Sequence, residues 1–525
     1  MTAERLMVAF AGTQVPADVA QALADHPYAG VTLFRDVNVS SIEQVRALTA
    51  QLQGAAPATA RPLLIATDQE GGQLNALGDG LTEFAGAMAL GAAGDPALTE
   101  KVAGATAREM LALGVNVNYM PACDLATAPD NPALGIRSFG DAPATVGEHA
   151  AAYVRGLQAG GVAATVKHFP GLGDARADTH HGMAVVESSL EQLRQRELVP
   201  FRAAIAAGAK LAMSGHIALP AITGDRALPA SLADAVVTGL LRDELGFDGL
   251  AITDALDMGA VAQGVAQVVD VITAVRAGED LLLATPDPEL IARLEAGVTQ
   301  AVKRRLIGPD SAALVAGRLA ALREWLAGFA QPGLEVVGCA EHKALAAELA
   351  ARSITLVRND DGLLPLRIDR DARVAVVQSP GARLTPADTS DTVPAALAAA
   401  VRRRAPHTDE LLTSAEPTIA EVAAIRERVR EFDVVIVGTA TANLRPAQAA
   451  LANAVLDAQP NAICVALRTP WDVCAYAQAR TYVCAYGILP PSMEALAAAL
   501  FGESPFTGRL PVDIGGLYER GHGLS

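Results

Sequence analysis

Cysteine is scarce. There are five in 525 residues (Cys123, Cys339, Cys464, Cys474 and Cys484), an odd number, widely spaced, with no CxxC pair. That pattern argues against a disulfide framework and against a thiolate metal site, and it predicts free thiols buried in apolar runs. Aromatic residues make up only 4% of the chain, so Ala, Leu and Val must fill the core. No uninterrupted apolar run approaches the ~18 residues of a membrane span. The first residues, MTAERLMVAFAGTQVP, lack a basic leader and a small-residue cleavage site, so the expected location is cytoplasmic. Cations are in deficit, 41 Lys and Arg against 58 Asp and Glu for a net charge of −17. A general nucleic-acid binder needs a basic face, which this balance does not favour.

What is abundant is apolar residue, 51% against 19% charged. That suffices for a large core and rules out wholesale disorder. The length allows two to four domains, or one large barrel with a smaller unit.

Eight short apolar runs punctuate the first part: LMVAFAG (6–12), GVTLF (30–34), LLIATD (63–68), VNVNYMPACDL (115–125), AATVKHF (163–169), LAMSGHI (211–217), GLAITD (249–254) and DLLLAT (280–285). Stretches of helical periodicity lie between most of them, such as SIEQVRALTAQLQ, and Gly114, Gly161, Gly208, Gly249 and Gly278 each stand just before or at the start of the next run. Continuously apolar strands alternating with helices imply a parallel sheet covered on its faces. Eight repeats match a (β/α)8 barrel, with a doubly wound open sheet as the alternative. A helical stretch (310–330) and Gln331-Pro332-Gly333 then suggest a linker, dividing the chain into a barrel over 1–330 and a second α/β unit over 331–525. The second unit has strand candidates at 353–359, 373–379, 433–440, 462–469 and 481–487, which implies a mostly parallel sheet sandwich. It carries no glycine-rich nucleotide fingerprint and no convincing titratable cluster.

Barrel chemistry collects where strands end, and the strand ends here are unusually polar. They hold Asp68, Asp124, Lys167-His168, His216 and Asp254. Idle burial of such groups would cost several kcal/mol each, so together they mark one mouth. The loop after the fifth run, KHFPGLGDARADTHHGM, is the richest. Asp178 and His180 face the same way in extended chain, so the carboxylate can hold one imidazole nitrogen and raise its basicity. A metal site is the rival reading. Adjacent His180 and His181 point to opposite sides, however, and no HExxH set is present, so neither metal nor cofactor is expected.

KHFPGLG followed by DTH resembles the signature of glycoside hydrolase family 3, in its β-N-acetylhexosaminidase branch. TDQEGG (67–72), DNPALGIRSFG (130–140), MSGHI (213–217), LGFDGLAITDALDMGAV (245–261), SITLVRNDDGLLPL (353–366) and FGESPFTGRLPV (501–512) follow in the family's order. The resemblance covers essentially the whole chain. It implies that Asp254 is the nucleophile, His180 the acid/base and Asp178 its partner. It further implies that Asp68, Arg137, Lys167, His168 and His216 bind sugar. Asp257 competes with Asp254 but reads as a cap for the following helix, and Asp124 reads as structural. The loop is expected to stand open without sugar.

Three positions depart from the family pattern. Leu172 stands where histidine is usual, Gln73 where arginine is common, and Thr179 where serine is. The implied activity is a retaining exo-β-N-acetylglucosaminidase acting on a small carbohydrate, such as a peptidoglycan fragment. A phosphorylase is the close alternative, and a degenerate, non-catalytic carbohydrate-binding protein the alternative of another class.

Overall fold

The computed structural model describes residues 3–261 and 263–525. Its first sheet has eight parallel strands: β1 (Leu6–Val8), β2 (Gly30–Thr32), β3 (Leu64–Thr67), β4 (Val117–Asn118), β5 (Ala163–Phe169), β6 (Leu211–Ser214), β7 (Leu250–Thr253) and β8 (Leu282–Leu283). Each falls inside one of the eight apolar runs. β1 pairs with β2 on one side and β8 on the other, and Ile252 of β7 bridges Leu281 beside β8, closing the ring. Every residue of β1–β8 is buried, as expected of a sheet walled on both faces.

The helices between strands form where the sequence supplies a cap and an apolar stripe. In Ile42–Ala55 the Ser41 hydroxyl accepts from the Gln44 N–H at 3.1 Å, and Val45, Leu48 and Leu52 bury one face. Gly208, at φ +89°, takes the left-handed position after its helix. Gly249 does not serve that role. A Cβ there would meet the Lys210 carbonyl at 2.4 Å, so closeness of backbone requires the glycine.

Inside the ring, Leu64, Tyr119, Leu211, Met213 and Ile252 form one cluster with Val315, Leu319, Leu322 and Leu326 of the helix Pro309–Ala327. That helix lies against the starts of β6 and β7, leaving the C-terminal rim as the open end.

The second sheet has six strands: β9 (Thr355–Asn359), β10 (Val374–Gln378), β11 (Thr408–Leu412), β12 (Val434–Thr439), β13 (Ile463–Ala466) and β14 (Thr481–Cys484). Their order is β9-β14-β13-β12-β10-β11, parallel except for β9. Five match the expected candidates. β11 does not, because its sequence TDELL has no apolar run. It pairs only with β10, at the edge, and is mostly exposed. The strand order reverses between β10 and β12, so a crevice opens at their carboxyl ends. That end faces the barrel: Thr389 N donates to Gln73 O at 2.8 Å, and Asn443 Nδ2 donates to Pro129 O at 2.8 Å.

All five cysteines are free. Cys123, Cys464 and Cys484 are buried, whereas Cys339 is half-buried and Cys474 exposed, so the expected burial holds for three of the five. Among the described residues, no helix is long and apolar enough to cross a membrane.

Candidate active site

A cavity of about 360 Å3 opens at the carboxyl rim of the barrel. Six of the eight residues singled out from the sequence line it: Asp68, Arg137, Lys167, His168, His180 and Asp254. They arrive on β3, β4, β5 and β7 or the loops that follow, so convergence on one mouth is a product of barrel closure. A larger hollow, about 950 Å3, lies at the opposite end under the strand starts. Arg318, one of the charged residues that line it, is already paired with Asp280 at 3.0 Å, and the hollow holds none of the polar strand-end groups.

Asp254 is the first residue beyond β7. Its N–H donates to the Ser214 carbonyl at 2.9 Å, and its Oδ1 accepts from Ala255 N at 2.8 Å. Rigid strand backbone thus fixes the carboxylate. Burial works to raise its pKa, but the imidazoles of His168, His216 and His180 outweigh burial and hold it below the usual carboxylate value. It is an anion at neutral pH.

His216 does not reach the cavity. Its Nδ1 is 2.7 Å from Ser231 Oγ and its Nε2 3.1 Å from the Ala255 carbonyl, so both nitrogens are spent on protein. Burial lowers its pKa, which fits a neutral ring donating from Nε2 to the carbonyl and accepting at Nδ1. It is bonded to the chain that follows β7 and does not line the cavity.

Asp178 and His180 meet as their spacing suggested. Asp178 Oδ1 lies 2.6 Å from His180 Nδ1 and also accepts the His180 N–H at 3.0 Å. Burial lowers the His180 pKa, but the Asp178 hydrogen bond and the nearby Asp254 charge more than offset it, and the net direction is upward. Asp178 moves the other way: burial raises it, and its bonds to His180 bring it below its usual value.

The loop does not stand open. His180 lines the cavity, and its carbonyl accepts from Gly259 N at 3.1 Å. A Cβ at Gly259 would sit 2.9–3.0 Å from His181 C and His180 O, so the glycine is what lets the loop settle against the turn after β7. Asp257 sits in that turn. The next regular helix begins only at Gln267, so Asp257 caps nothing; it is exposed and lines the cavity.

The floor of the mouth is an ion-paired cluster. Lys167 Nζ contacts Asp68 Oδ1 at 2.6 Å and Glu70 Oε1 at 2.5 Å, while Arg137 forks onto Glu70 through Nε at 2.8 Å and NH2 at 2.9 Å. Arg137 is therefore a buried partner of Glu70, not a surface ion pair. Burial alone would raise the Glu70 pKa; Arg137 and Lys167 overturn that and bring it down to about 2. His168 Nδ1 lies 2.7 Å from Asp124 Oδ2, which leaves Nε2 for a ligand. Asp124 also accepts from Leu172 N at 2.6 Å, so one buried carboxylate orients His168 and starts the loop.

Glu70 was not singled out from the sequence, although it lies in TDQEGG. Glu70→Ala is expected to destabilise the fold by about 3–5 kcal/mol, since it leaves buried Arg137 without its carboxylate and Lys167 with Asp68 alone. Chemical denaturation at pH 7 checks this. The contribution should be complete above the ordinary glutamate pKa of 4.5 and fade as pH falls toward 2.

The second domain also reaches this mouth. Arg383, Pro386, Ala387 and Thr389 line the cavity, and Arg383 pairs with Asp36 of the barrel and Asp391 of its own domain.

A closed parallel barrel whose carboxyl rim gathers an anionic aspartate, a carboxylate-held imidazole and a paired-ion floor defines a two-domain barrel hydrolase. The comparisons narrow the class. Residues 3–306 match the glycosyl hydrolase family 3 N-terminal domain and residues 354–519 the family 3 C-terminal domain. A β-N-acetylglucosaminidase/β-glucosidase of Cellulomonas fimi is 32% identical over 528 residues, covering 93% of this chain and 91% of that protein. β-Hexosaminidase A of Pseudoalteromonas piscicida is 34% identical over 68% of this chain, which spans 63% of that relative's length. The solved structure of a family 3 β-N-acetylglucosaminidase from a Paenibacillus superposes with a TM-score of 0.91 at 34% identity, covering 98% of both chains. The chain belongs to glycosyl hydrolase family 3.

Proposed function

We propose that this protein is a retaining, exo-acting β-N-acetylglucosaminidase that removes terminal β-linked N-acetylglucosamine from small glycosides, peptidoglycan fragments among them. The observation that carries the reading is that Asp254 and the Asp178-held His180 line and flank one cavity. The names of the relatives support the choice of sugar.

In this reading the sugar hydroxyls take Asp68 as acceptor and Lys167, Arg137 and His168 as donors. Asp254, ionised and held by β7, attacks the anomeric carbon. His180, protonated because Asp178 and Asp254 raise its pKa, gives its proton to the departing oxygen. Once the glycosyl–aspartate ester forms, the Asp254 charge is gone. One of the two groups raising the His180 pKa disappears with it, so the same imidazole is better suited to take a proton from water. Water then attacks the anomeric carbon, and the ester oxygen leaves as the Asp254 carboxylate with configuration retained.

The second reading is phosphorolysis. Its support is that the acid/base is an imidazole, which repels phosphate less than a second lone carboxylate would. A panel of aryl β-glycosides differing only at the 2-position, run with and without inorganic phosphate, separates the readings. Free N-acetylglucosamine from the N-acetyl substrate alone, unaffected by phosphate, is the expected result. Sugar 1-phosphate as the main product would replace hydrolysis with phosphorolysis. No turnover of any glycoside would leave the non-catalytic binding protein.

A further inference from the structure

The departure at Gln73 has a partner in the other domain. Arg468 follows β13, is 2% exposed, and places its guanidinium across the domain boundary. Its NH2 donates to Gln73 Oε1 at 2.6 Å and its NH1 to Asp388 Oδ2 at 2.8 Å. Gln73 Oε1 also accepts from Ile136 N at 3.2 Å, the residue before Arg137. Gln73 O accepts from Thr389 N at 2.8 Å, and Thr389 Oγ1 accepts from Asn75 N at 3.1 Å. Asp388 in turn accepts from Leu384 N at 3.1 Å and Ser390 N at 2.8 Å, shaping the segment whose Arg383, Pro386, Ala387 and Thr389 line the cavity.

One buried guanidinium therefore ties three things together: the loop after β3, the backbone that carries Arg137, and the second-domain segment 383–389. β3 stands four strands around the eight-strand ring from β7, so this tied wall faces Asp254 across the mouth. The approach is close. A Cβ at Gly135 would lie 2.5 Å from Gln73 Oε1, and Gly135 holds φ +51°. Asp388 follows β10 and Arg468 follows β13, so the carboxyl end of the sandwich sheet supplies this grip on the barrel, one of several places where the two domains touch.

We propose that Arg468 is a positioning residue for the glycosidase reaction. Acting through Gln73 and Asp388, it sets the wall of the mouth opposite the nucleophile and the register of Arg137. Arg468 supplies from the second domain a guanidinium that the barrel loop, with glutamine at position 73, does not carry. It touches no reacting atom. Its loss should act on substrate binding first, through KM, with the proton-transfer machinery of His180 and Asp178 left in place.

The inference rests on the glycosidase reading, and the wild-type enzyme tests that reading separately by its own turnover of an aryl N-acetylglucosaminide. The experiment compares Arg468→Lys, Arg468→Gln, Gln73→Arg and the exchanged double variant Gln73→Arg/Arg468→Gln, with thermal melts alongside. Arg468→Lys keeps the charge but can reach only one of the two partners, and should raise KM about 10-fold with kcat within about 3-fold. Gln73→Arg sets two buried cations against each other and should do worse. The exchange returns a single guanidinium to the same gap and should recover KM to within about 3-fold of wild type, with the pH profile unchanged throughout.

Two results would overturn the proposal. One is folded single variants with wild-type KM. The other is an exchanged double variant no better than Gln73→Arg alone. If Arg468→Gln fails to fold, Arg468→Lys and the exchange still decide.

Discussion

Asp254→Asn is expected to lower kcat for an aryl β-N-acetylglucosaminide by at least ~10^4-fold, about 5 kcal/mol of transition-state stabilisation. The amide is nearly the same size, and its Oδ1 can still accept the Ala255 N–H that the carboxylate accepts at 2.8 Å. The fold and the sugar-binding floor should therefore survive, and the dissociation constant for N-acetylglucosamine should stay within several-fold of wild type. What is removed is the charge that attacks the anomeric carbon in the proposed reaction. The same charge helps to raise His180, so the variant should also show a lower His180 pKa in an NMR titration. The competing assignment, Asp257, makes the opposite forecast. Asp257 is exposed in a turn with no strand behind it, and Asp257→Asn should retain most of the turnover. If Asp257→Asn is the dead variant and Asp254→Asn the active one, the nucleophile has been misplaced by one turn of chain. Intact-protein mass spectra of wild type during turnover of a substrate with a slowly released sugar should carry the added glycosyl mass, and those of Asp254→Asn should not.

The parts of this arrangement differ in how far the sequence exposed them. Each barrel strand is buried on both faces, so each appears as a short apolar run, and the polar residue that ends it is visible by contrast. That is why Asp68, Lys167, His168 and Asp254 could be named before any geometry was known. Asp178 and His180 are two residues apart, and their pairing is a local matter. β11 escaped because an edge strand with one paired side has no need of an apolar run.

Glu70 escaped for another reason. Its meaning depends on Arg137, 67 residues away, and nothing in EGG announces that a buried carboxylate there must neutralise two cations. The second-domain wall is the extreme case: Arg383 meets Asp36 across 347 residues. His216 was legible as a polar strand end but not as to its surroundings, because a ring that lines a cavity and a ring that bonds the chain after β7 present the same letter. The loop expected to stand open is held down by a contact between His180 and Gly259, on different strands' loops, which no local pattern encodes.

In the proposed reaction the dyad sets the pH window, because productive encounter with substrate then needs Asp254 ionised and His180 protonated. Asp254 sits below the usual carboxylate value, so the acid limb of kcat/KM should fall below that value as well. His180 sits above 6.5, so the alkaline limb should lie above that pH. Asp178→Asn separates charge from geometry. The amide oxygen can still accept the Nδ1–H that the carboxylate now takes at 2.6 Å, but the anion is gone. Burial, the largest influence on His180, then acts against a weaker opponent, and the protonated form loses ground. The alkaline limb should therefore move to lower pH by about one unit or more, while the acid limb, which belongs to Asp254, stays where it is. His180→Ala should cost ~10^2–10^4-fold with a poor leaving group and much less with a nitrophenolate, which departs without a proton. It should also remove the alkaline limb. The measurement is kcat/KM against pH for the three proteins on two aryl glycosides of different leaving-group pKa. An alkaline limb that stays put in Asp178→Asn, with activity lowered equally at every pH, would mean that Asp178 only shapes the loop and that some other group holds the proton.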